Sequence, residues 1–436
     1  MKLSGRTAAS IAASLEQQLH AGTRRAGEPV PTVRALAATL DVSPATVAAA
    51  YRILRARGLI AGHGRRGTRV SAMSVAPSRL VSRAVPVGAR DLATGNPDPG
   101  LLPDLGPALQ TIDRDIHLYG QRVDRPGLAA FASSEFEADG IPARSVLVLS
   151  GAMDAIERVL REHLRPGDTV ALEDPTFPGL IDLVAGSGYV VAPCAVDHEG
   201  LLPDSLLAAI GRGCRAVIVT PRAQNPTGAA LTASRASALT RALRQYPDVL
   251  LIENDYAGPI AGVPVHTSAA DSRARWAVVR STAKYLGPDL RVALMTGDDL
   301  TVGRVGARQA LGARWVSHIL QQLTLALWSD PSSGRLLARA GAIYTQRRAA
   351  MLRALGQHAI EVRAASGFNV WIPVRSEAAV VSGLAERGWA VAPGDRFRIR
   401  STPGIRVTIS TLQPPDAERF AADLAAVLRY SSAASA

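Results

Sequence analysis

The sequence predicts a two-part chain: a small module with a helix-turn-helix pattern, then an α/β body built on a mostly parallel sheet. Three observations predict it. The first 90 residues hold 14 Lys plus Arg against 3 Asp plus Glu, whereas the rest of the chain holds 35 against 34. Inside the basic segment, two short helical patterns flank the tight turn Asp41-Val42-Ser43. From Asp91 on, short apolar runs alternate with Ala- and Leu-rich segments, as expected of strands buried on both faces and separated by helices.

At 436 residues the chain exceeds one ordinary domain and can bury a large core. Its two cysteines, Cys194 and Cys214, make no disulfide framework and fit a reducing compartment. No signal peptide opens the chain and no apolar run of about 18 residues occurs, so a cytoplasmic protein with no membrane partner is expected. The eight histidines lack paired zinc spacing and Cys-x-x-Cys is absent, so no metal is expected.

Residues 1–71 form the first module. Ile11 to Leu19 reads as an amphipathic helix; Pro29 and Pro31 break the chain, and Thr32 caps a helix through Leu40. Ser43 or Pro44 starts a second helix, in which Val47, Ala50, Tyr51 and Leu54 recur at helical spacing. Such a pair places the N-terminal end of its second helix in the DNA major groove, and the small Ala45, Thr46 and Ala49 allow close approach. Gly58–Ile60 and Thr68–Val70 read as short strands joined by a basic glycine-rich tip, Gly62-His63-Gly64-Arg65-Arg66-Gly67, suited to phosphate or minor-groove contact. The expected DNA contacts are Arg34, Ser43, Thr46, Arg52, Arg65, Arg66 and Thr68. Without a ligand, the same pattern would be a plain packing module on a solvated basic surface. Residues 72–90, with no clear period, two prolines and three arginines before Asp91, read as a linker.

In the body, strands are expected at Val146–Leu149, Thr169–Leu172, Ala216–Thr220, Val249–Ile252, Ala277–Arg280 and Val292–Met295. Parallel sheets bind ligands at the carboxyl ends of their strands. Five such ends suit one ligand. Gly151, Ala152 and Met153 open a helix whose free N–H groups suit a phosphate. Phe177 could stack on an aromatic ring or fill the core. Asn225, before Pro226-Thr227-Gly228, could donate to a phenolate oxygen or merely make a turn. Glu253-Asn254-Asp255-Tyr256 offers carboxylates and a phenol.

The last strand end carries Ser281-Thr282-Ala283-Lys284, with Arg291 seven residues on. Only two residues of the chain are lysines, Lys2 and Lys284; arginine carries the remaining positive charge. A guanidinium stays protonated, whereas a buried ammonium can shed its proton and become a nucleophilic amine. Such an amine forms a Schiff base with an aldehyde, and pyridoxal phosphate is the commonest biological one. Ser281, Thr282 and Arg291 are the types that would hold its phosphate. A surface lysine spared by an arginine-rich composition is the competing reading. The serine–lysine pair of β-lactamases is excluded, since Ser-Asp-Asn and Lys-Thr-Gly are both missing.

The segments "PTVRALAATLDVSPATVAAAYRILRARGLI" and "GRRGT" resemble the winged-helix domain of GntR-type regulators, except that Pro44 stands where that family usually has arginine. Residues 91–430 resemble a fold-type I, class I aminotransferase, and the whole chain resembles a MocR-type regulator. The resemblance implies that Lys284 is the pyridoxal phosphate lysine, that Ser281 and Arg291 bind the phosphate with Gly151–Met153, that Asn225 and Tyr256 meet the ring 3-oxygen, and that Phe177 stacks on the ring. It further implies that Tyr119 reaches a partner subunit's phosphate, that Arg406 clamps a substrate carboxylate, that Asn96 lies near the substrate, that a small domain spans about 335–430, and that the protein is a homodimer. Two positions depart from the pattern. Asn254 stands where the aspartate facing the pyridine nitrogen usually is, with Asp255 beside it. Gly179 stands where relatives that bind γ-aminobutyrate carry arginine.

The expected function is a pyridoxal phosphate-dependent regulator of a double-stranded DNA operator, sensing an amino acid, an amine or a B6 vitamer. The alternative is a working class I aminotransferase with an accessory DNA-binding domain.

Overall fold

The structure is a computed structural model and describes residues 3–433 except 21–22, 25–26, 57–58, 63–66, 71–78, 81–84, 114–117, 120–125 and 270–272. Two compact units are present, the first built on residues 1–81 and the second holding nearly all of the rest.

In the first unit, helices α1 (Ala8–His20), α2 (Val33–Leu40) and α3 (Pro44–Ala56) pack through buried Ile11, Leu15, Leu36, Val47, Ala50, Tyr51 and Leu54. The caps are local and come from the expected residues. Thr32 accepts from the Ala35 N–H at 3.2 Å, and Asp41, left-handed at φ 52°, ends α2. Ser43 Oγ accepts from the Thr46 N–H at 3.1 Å and so caps α3. The Tyr51 hydroxyl ties α3 to the Pro31 carbonyl at 2.6 Å. Strands β1 (Ile60–Gly62) and β2 (Thr68–Val70) pair antiparallel, Ile60 opposite Val70.

In the second unit, strands β4 (Leu147–Leu149), β5 (Thr169–Asp174), β6 (Val190–Asp197), β7 (Gly200–Leu201), β8 (Cys214–Val219), β9 (Leu250–Asp255), β10 (Trp276–Ser281) and β11 (Ala293–Gly297) form one mixed sheet, in the order β4-β11-β10-β9-β8-β5-β6-β7. Its centre, β5-β8-β9-β10, is parallel; β11 runs antiparallel to both β10 and β4. Every residue of β9 and β10 is buried, which is why these strands read as unbroken apolar runs with polar ends. The end of one body strand is corrected, as is the first strand of the N-terminal module, expected at Gly58–Ile60 and found at Ile60–Gly62. The sequence ended the fourth body strand at Ile252, but β9 continues through Glu253, Asn254 and Asp255, because the β10 ladder runs on to pair Asp255 with Arg280.

A second, four-stranded sheet has the order β12-β14-β13-β3, from β12 (Asn369–Pro373), β13 (Trp389–Pro393), β14 (Gly404–Thr408) and β3 (Arg90–Leu92). The helix Pro331–Gln357, capped by Asp330 and opened by proline, precedes it. Arg90, read as the last linker residue, is already in β3, parallel to β13. Trp389, fully buried, donates its indole N–H to Asp423 at 2.8 Å, and Phe420 meets its ring edge-on. Among the described residues, no helix is long and apolar enough to cross a membrane, and no three His, Cys, Asp or Glu are grouped to hold a metal ion.

Candidate functional site

Strand alternation decides what the end of β9 does. Glu253 and Asp255 share one face and Asn254 has the other. Glu253 accepts from Ser268 N and Thr267 Oγ1, both at 2.6 Å, and burial pushes its carboxyl up to about 7. Asp255, fully buried, takes a two-pronged contact from Arg222 (Nε and Nη2, each 2.9 Å) and a third from Arg280 Nε at 2.8 Å. Asp139 closes the cluster, 2.5 Å from Arg280 Nη2 and 3.5 Å from Arg222 Nη2. Burial alone would raise the Asp255 carboxyl; the two guanidiniums outweigh it and hold it well below the usual carboxylate range. Asn254 is 5% exposed, and its Oδ1 is buried without a hydrogen-bond partner.

Lys284 follows the end of β10. Burial, helped by the like charge of Arg406, lowers its ammonium to about 8, and its Nζ donates to the Gly95 carbonyl at 2.7 Å. Arg406, on β14, is buried over the Phe397 ring, with 4.7 Å from guanidinium carbon to ring centre. It donates to Asn225 Oδ1 at 3.3 Å and to the Ala93 carbonyl. Its Nε has no partner, and among the described residues it makes no ion pair. Burial lowers it to about 10. A buried guanidinium without a carboxylate calls for an anion.

The phosphate-type residues meet as expected only in part. Arg291, left-handed at φ 50° and exposed, reaches toward the Ser150 carbonyl at 3.5 Å. Gly151 sits at φ 103°, a conformation that favours glycine, and a Cβ there would lie 2.7 Å from the mobile end of Arg291, Nη2. Gly151 leads into the helix Ala152–His163, whose first turn holds Ala152 and Met153. Ser281 Oγ accepts from Ala283 N at 3.3 Å. Thr282 is lost to the set, since its hydroxyl is spent on the Val292 carbonyl at 2.9 Å.

Other expected residues have partners that the sequence did not suggest. Tyr256 donates to the Ala223 carbonyl, and Asn225 is turned to Arg406. Phe177 is half-buried, and a Cβ on Gly179 would strike its ring at 2.6 Å. Asn96 is exposed and donates to Thr94 Oγ1 at 3.2 Å. Tyr119 is 80% exposed, edge-on to Trp315 at 5.7 Å, with the Arg314 guanidinium 5.5 Å away. In the first unit Arg34, Ser43 and Arg52 are exposed and Thr46 and Thr68 half-buried; Ser43 and Thr46 also bond each other at 2.9 Å. Arg65 and Arg66 lie outside the described residues.

Sequence reasoning missed three groups. Arg222 and Arg280 seal Asp255. Asp174 accepts from the N–H groups of Ile399, Arg400 and Ser401 at 2.7–2.9 Å, tying the end of β5 to the loop before β14. Arg347 pairs with Asp98 at 2.8 Å. Each pairing joins residues at least 25 positions apart, and no local pattern marks it.

Comparison with known proteins gives a consistent picture. Residues 7–70 match the family described as bacterial regulatory proteins, gntR family, and residues 90–424 match aminotransferase class I and II. The chain is 40% identical over 425 residues to the vitamin B6 salvage pathway transcriptional repressor PtsJ of Salmonella typhimurium, covering 97% of this chain and 98% of that one. It is 30% identical over 391 residues to the HTH-type transcriptional regulator TauR of Rhodobacter capsulatus, covering 80% and 79%. In fold, the body is similar to an archaeal alanine:glyoxylate aminotransferase (TM-score 0.70, 21% identity, 78% of this chain and 91% of that one). It is likewise similar to LysN, the α-aminoadipate aminotransferase of Thermus thermophilus (0.69, 22%, 81% and 96%).

Proposed function

This chain belongs to the MocR-type regulators, in which a gntR-family domain precedes an aminotransferase class I and II domain, and on that premise we propose that it binds pyridoxal phosphate and an operator DNA, with its body as the sensor. The observation that carries the reading is Lys284, a half-buried lysine lowered to about 8 in a body that otherwise uses arginine. Near neutrality about a tenth of such a group is free amine, against far less than a hundredth for an ordinary lysine. The surroundings fit the cofactor: a glycine-lined approach between Gly151 and Arg291, an unpartnered amide oxygen on Asn254, and an unpaired guanidinium on Arg406. Bound, pyridoxal phosphate would supply an aldehyde for Lys284 and an electron-withdrawing ring.

The sensed ligand, in this reading, is a vitamin B6 compound or an amine captured by it; the end-to-end similarity to a repressor named for vitamin B6 salvage favours the former. Arg406 would receive a carboxylate. Exposed Tyr119 would complete the site of a second copy in a homodimer. A DNA partner would favour a cytoplasmic location, and Arg34, Arg52 and the α3 N-terminus would face the duplex.

The alternative, a working aminotransferase, needs a carboxylate to keep the pyridine nitrogen protonated. Asp255 is committed to two arginines, and the remaining neighbour is an amide. That favours a site that holds its ligand over one that turns it over.

The test is an absorbance spectrum with added pyridoxal phosphate, followed by borohydride reduction. Wild type should gain a visible band and a covalent adduct at Lys284, and Lys284→Ala should gain neither. An adduct that survives in Lys284→Ala would refute the assignment, since Lys2 is the only other lysine.

A further inference from the structure

The segment Ala93–Asp98 joins β3 to the rest of the body and is pinned at both ends. On the β3 side, Arg90 bonds Asp416 at 2.5 Å and the Thr411 carbonyl at 3.0 Å. Asp91 accepts from Ala93 N and Thr94 N at 2.8 and 3.0 Å. At the far end, Asp98 takes Arg347 at 2.8 Å, and its N–H donates to the Tyr344 hydroxyl at 3.0 Å. Between these anchors the segment bends at Gly95, left-handed at φ 71°, and leaves Thr94 and Asn96 exposed. Two cationic side chains hold this middle part: Lys284 on the Gly95 carbonyl and Arg406 on the Ala93 carbonyl.

Those two donors are the ones a ligand of the proposed kind would consume. We propose that residues 93–98 form a strap whose central carbonyls report the chemical state of Lys284 and Arg406, so that ligand capture releases the strap between fixed ends. The proposal rests on the reading of Lys284 as the aldehyde-binding lysine.

The proton accounting gives it direction. The Lys284 ammonium first gives one proton to solvent. The amine then attacks the aldehyde carbon; a carbon–nitrogen double bond forms, the carbon–oxygen bond breaks, and both amine hydrogens leave with that oxygen as water. The product nitrogen would no longer offer Gly95 the ammonium N–H that holds it in this structure. A carboxylate arriving at Arg406 competes in the same sense, because a guanidinium bonds an anion more strongly than an amide carbonyl. The strap begins directly after β3, the strand by which the chain coming from the N-terminal module enters the body's second sheet. A segment that is ordered without ligand and loosened with it is an element whose equilibrium the ligand biases.

The test is amide hydrogen exchange of peptides covering residues 93–98 in the full-length protein. Pyridoxal phosphate should speed exchange there by about tenfold, the usual worth of a hydrogen bond to a charged donor. Pyridoxine 5′-phosphate, which has the ring and phosphate but no aldehyde, should leave it slow. Lys284→Met should exchange fast without any ligand. Lys284→Arg keeps a cationic donor but cannot react, so it should stay slow and ignore pyridoxal phosphate. If borohydride traps the cofactor on wild type while strap exchange stays unchanged, the strap proposal falls and the cofactor reading stands. If nothing is trapped, the cofactor reading fails. In either case, a Lys284→Met protein as protected as wild type shows that the lysine does not hold the strap.

Discussion

Asp255 and Asn254 are consecutive residues of one strand and almost equally buried, yet their surroundings are opposite. Around Asp255 both oxygens are occupied and two guanidiniums are balanced by Asp255 and Asp139. At Asn254 an amide oxygen is unmatched; elsewhere in the body, Lys284 rests on the Gly95 carbonyl, and Arg406 on the Ala93 carbonyl and Asn225 Oδ1. A saturated cluster needs nothing further and is read as structure. Buried polar atoms left open cost free energy unless something arrives to meet them, and in the proposed reading Asn254 Oδ1 and Arg406 Nε are the two such atoms that a ligand would meet.

The contrast breaks most visibly at Asp255. Asp255→Asn should cost about 3–5 kcal/mol in urea unfolding, because two buried guanidiniums lose their counter-charge. Asn254→Ala should cost less than about 1 kcal/mol, because no bond to its Oδ1 is lost. Equal costs would erase the distinction. The Asp255 contribution also has a pH signature. Its folded carboxyl is held low, so its stabilisation is complete above the unfolded value of about 4 and is lost as pH falls through the lower folded one. Asp255→Asn should flatten this acid limb.

On the ligand side, Asn254→Asp should speed half-transamination about tenfold or more, followed as conversion of the bound cofactor to its amine form, since a carboxylate favours a protonated ring nitrogen. Asp255→Asn should leave the wild-type rate low. Brisk wild-type transamination, abolished by Asp255→Asn, would reverse the roles given to the two residues.

A smaller effect separates burial from charge at Lys284. The rate of cofactor capture should rise with pH around a midpoint near 8, as the amine is freed. Arg406→Met removes a like charge and should move that midpoint upward; an unchanged midpoint would leave burial as the sole cause. In the N-terminal unit, where Ser43 and Thr46 are already paired as a cap, Thr46→Ala should change sequence preference only modestly, read from binding curves on a set of duplexes at several salt concentrations.

Much of this was legible in the residues. Lys284 stood out because a composition rich in arginine spared one lysine at a strand end. The α3 core positions follow from spacing, and Thr32 caps as its type suggests. What was hidden is nonlocal. Nothing near Asp255 in sequence says that Arg222, 33 positions earlier, will close on it. Thr282 looks like a phosphate ligand until its hydroxyl meets Val292, and Asn225 looks free until β14 brings Arg406 to it. The end of β9 was misjudged because polar residues read as a loop, although buried partners let a strand carry them.

Gly179 has a consequence for how this site can change over time. Its missing side chain is the space in which the Phe177 ring lies, and a Cβ would fall 2.6 Å from that ring. Any side chain at position 179 therefore requires the Phe177 ring to shift. A substitution at 179 is thus a change at 177 as well, and the two positions can vary only together.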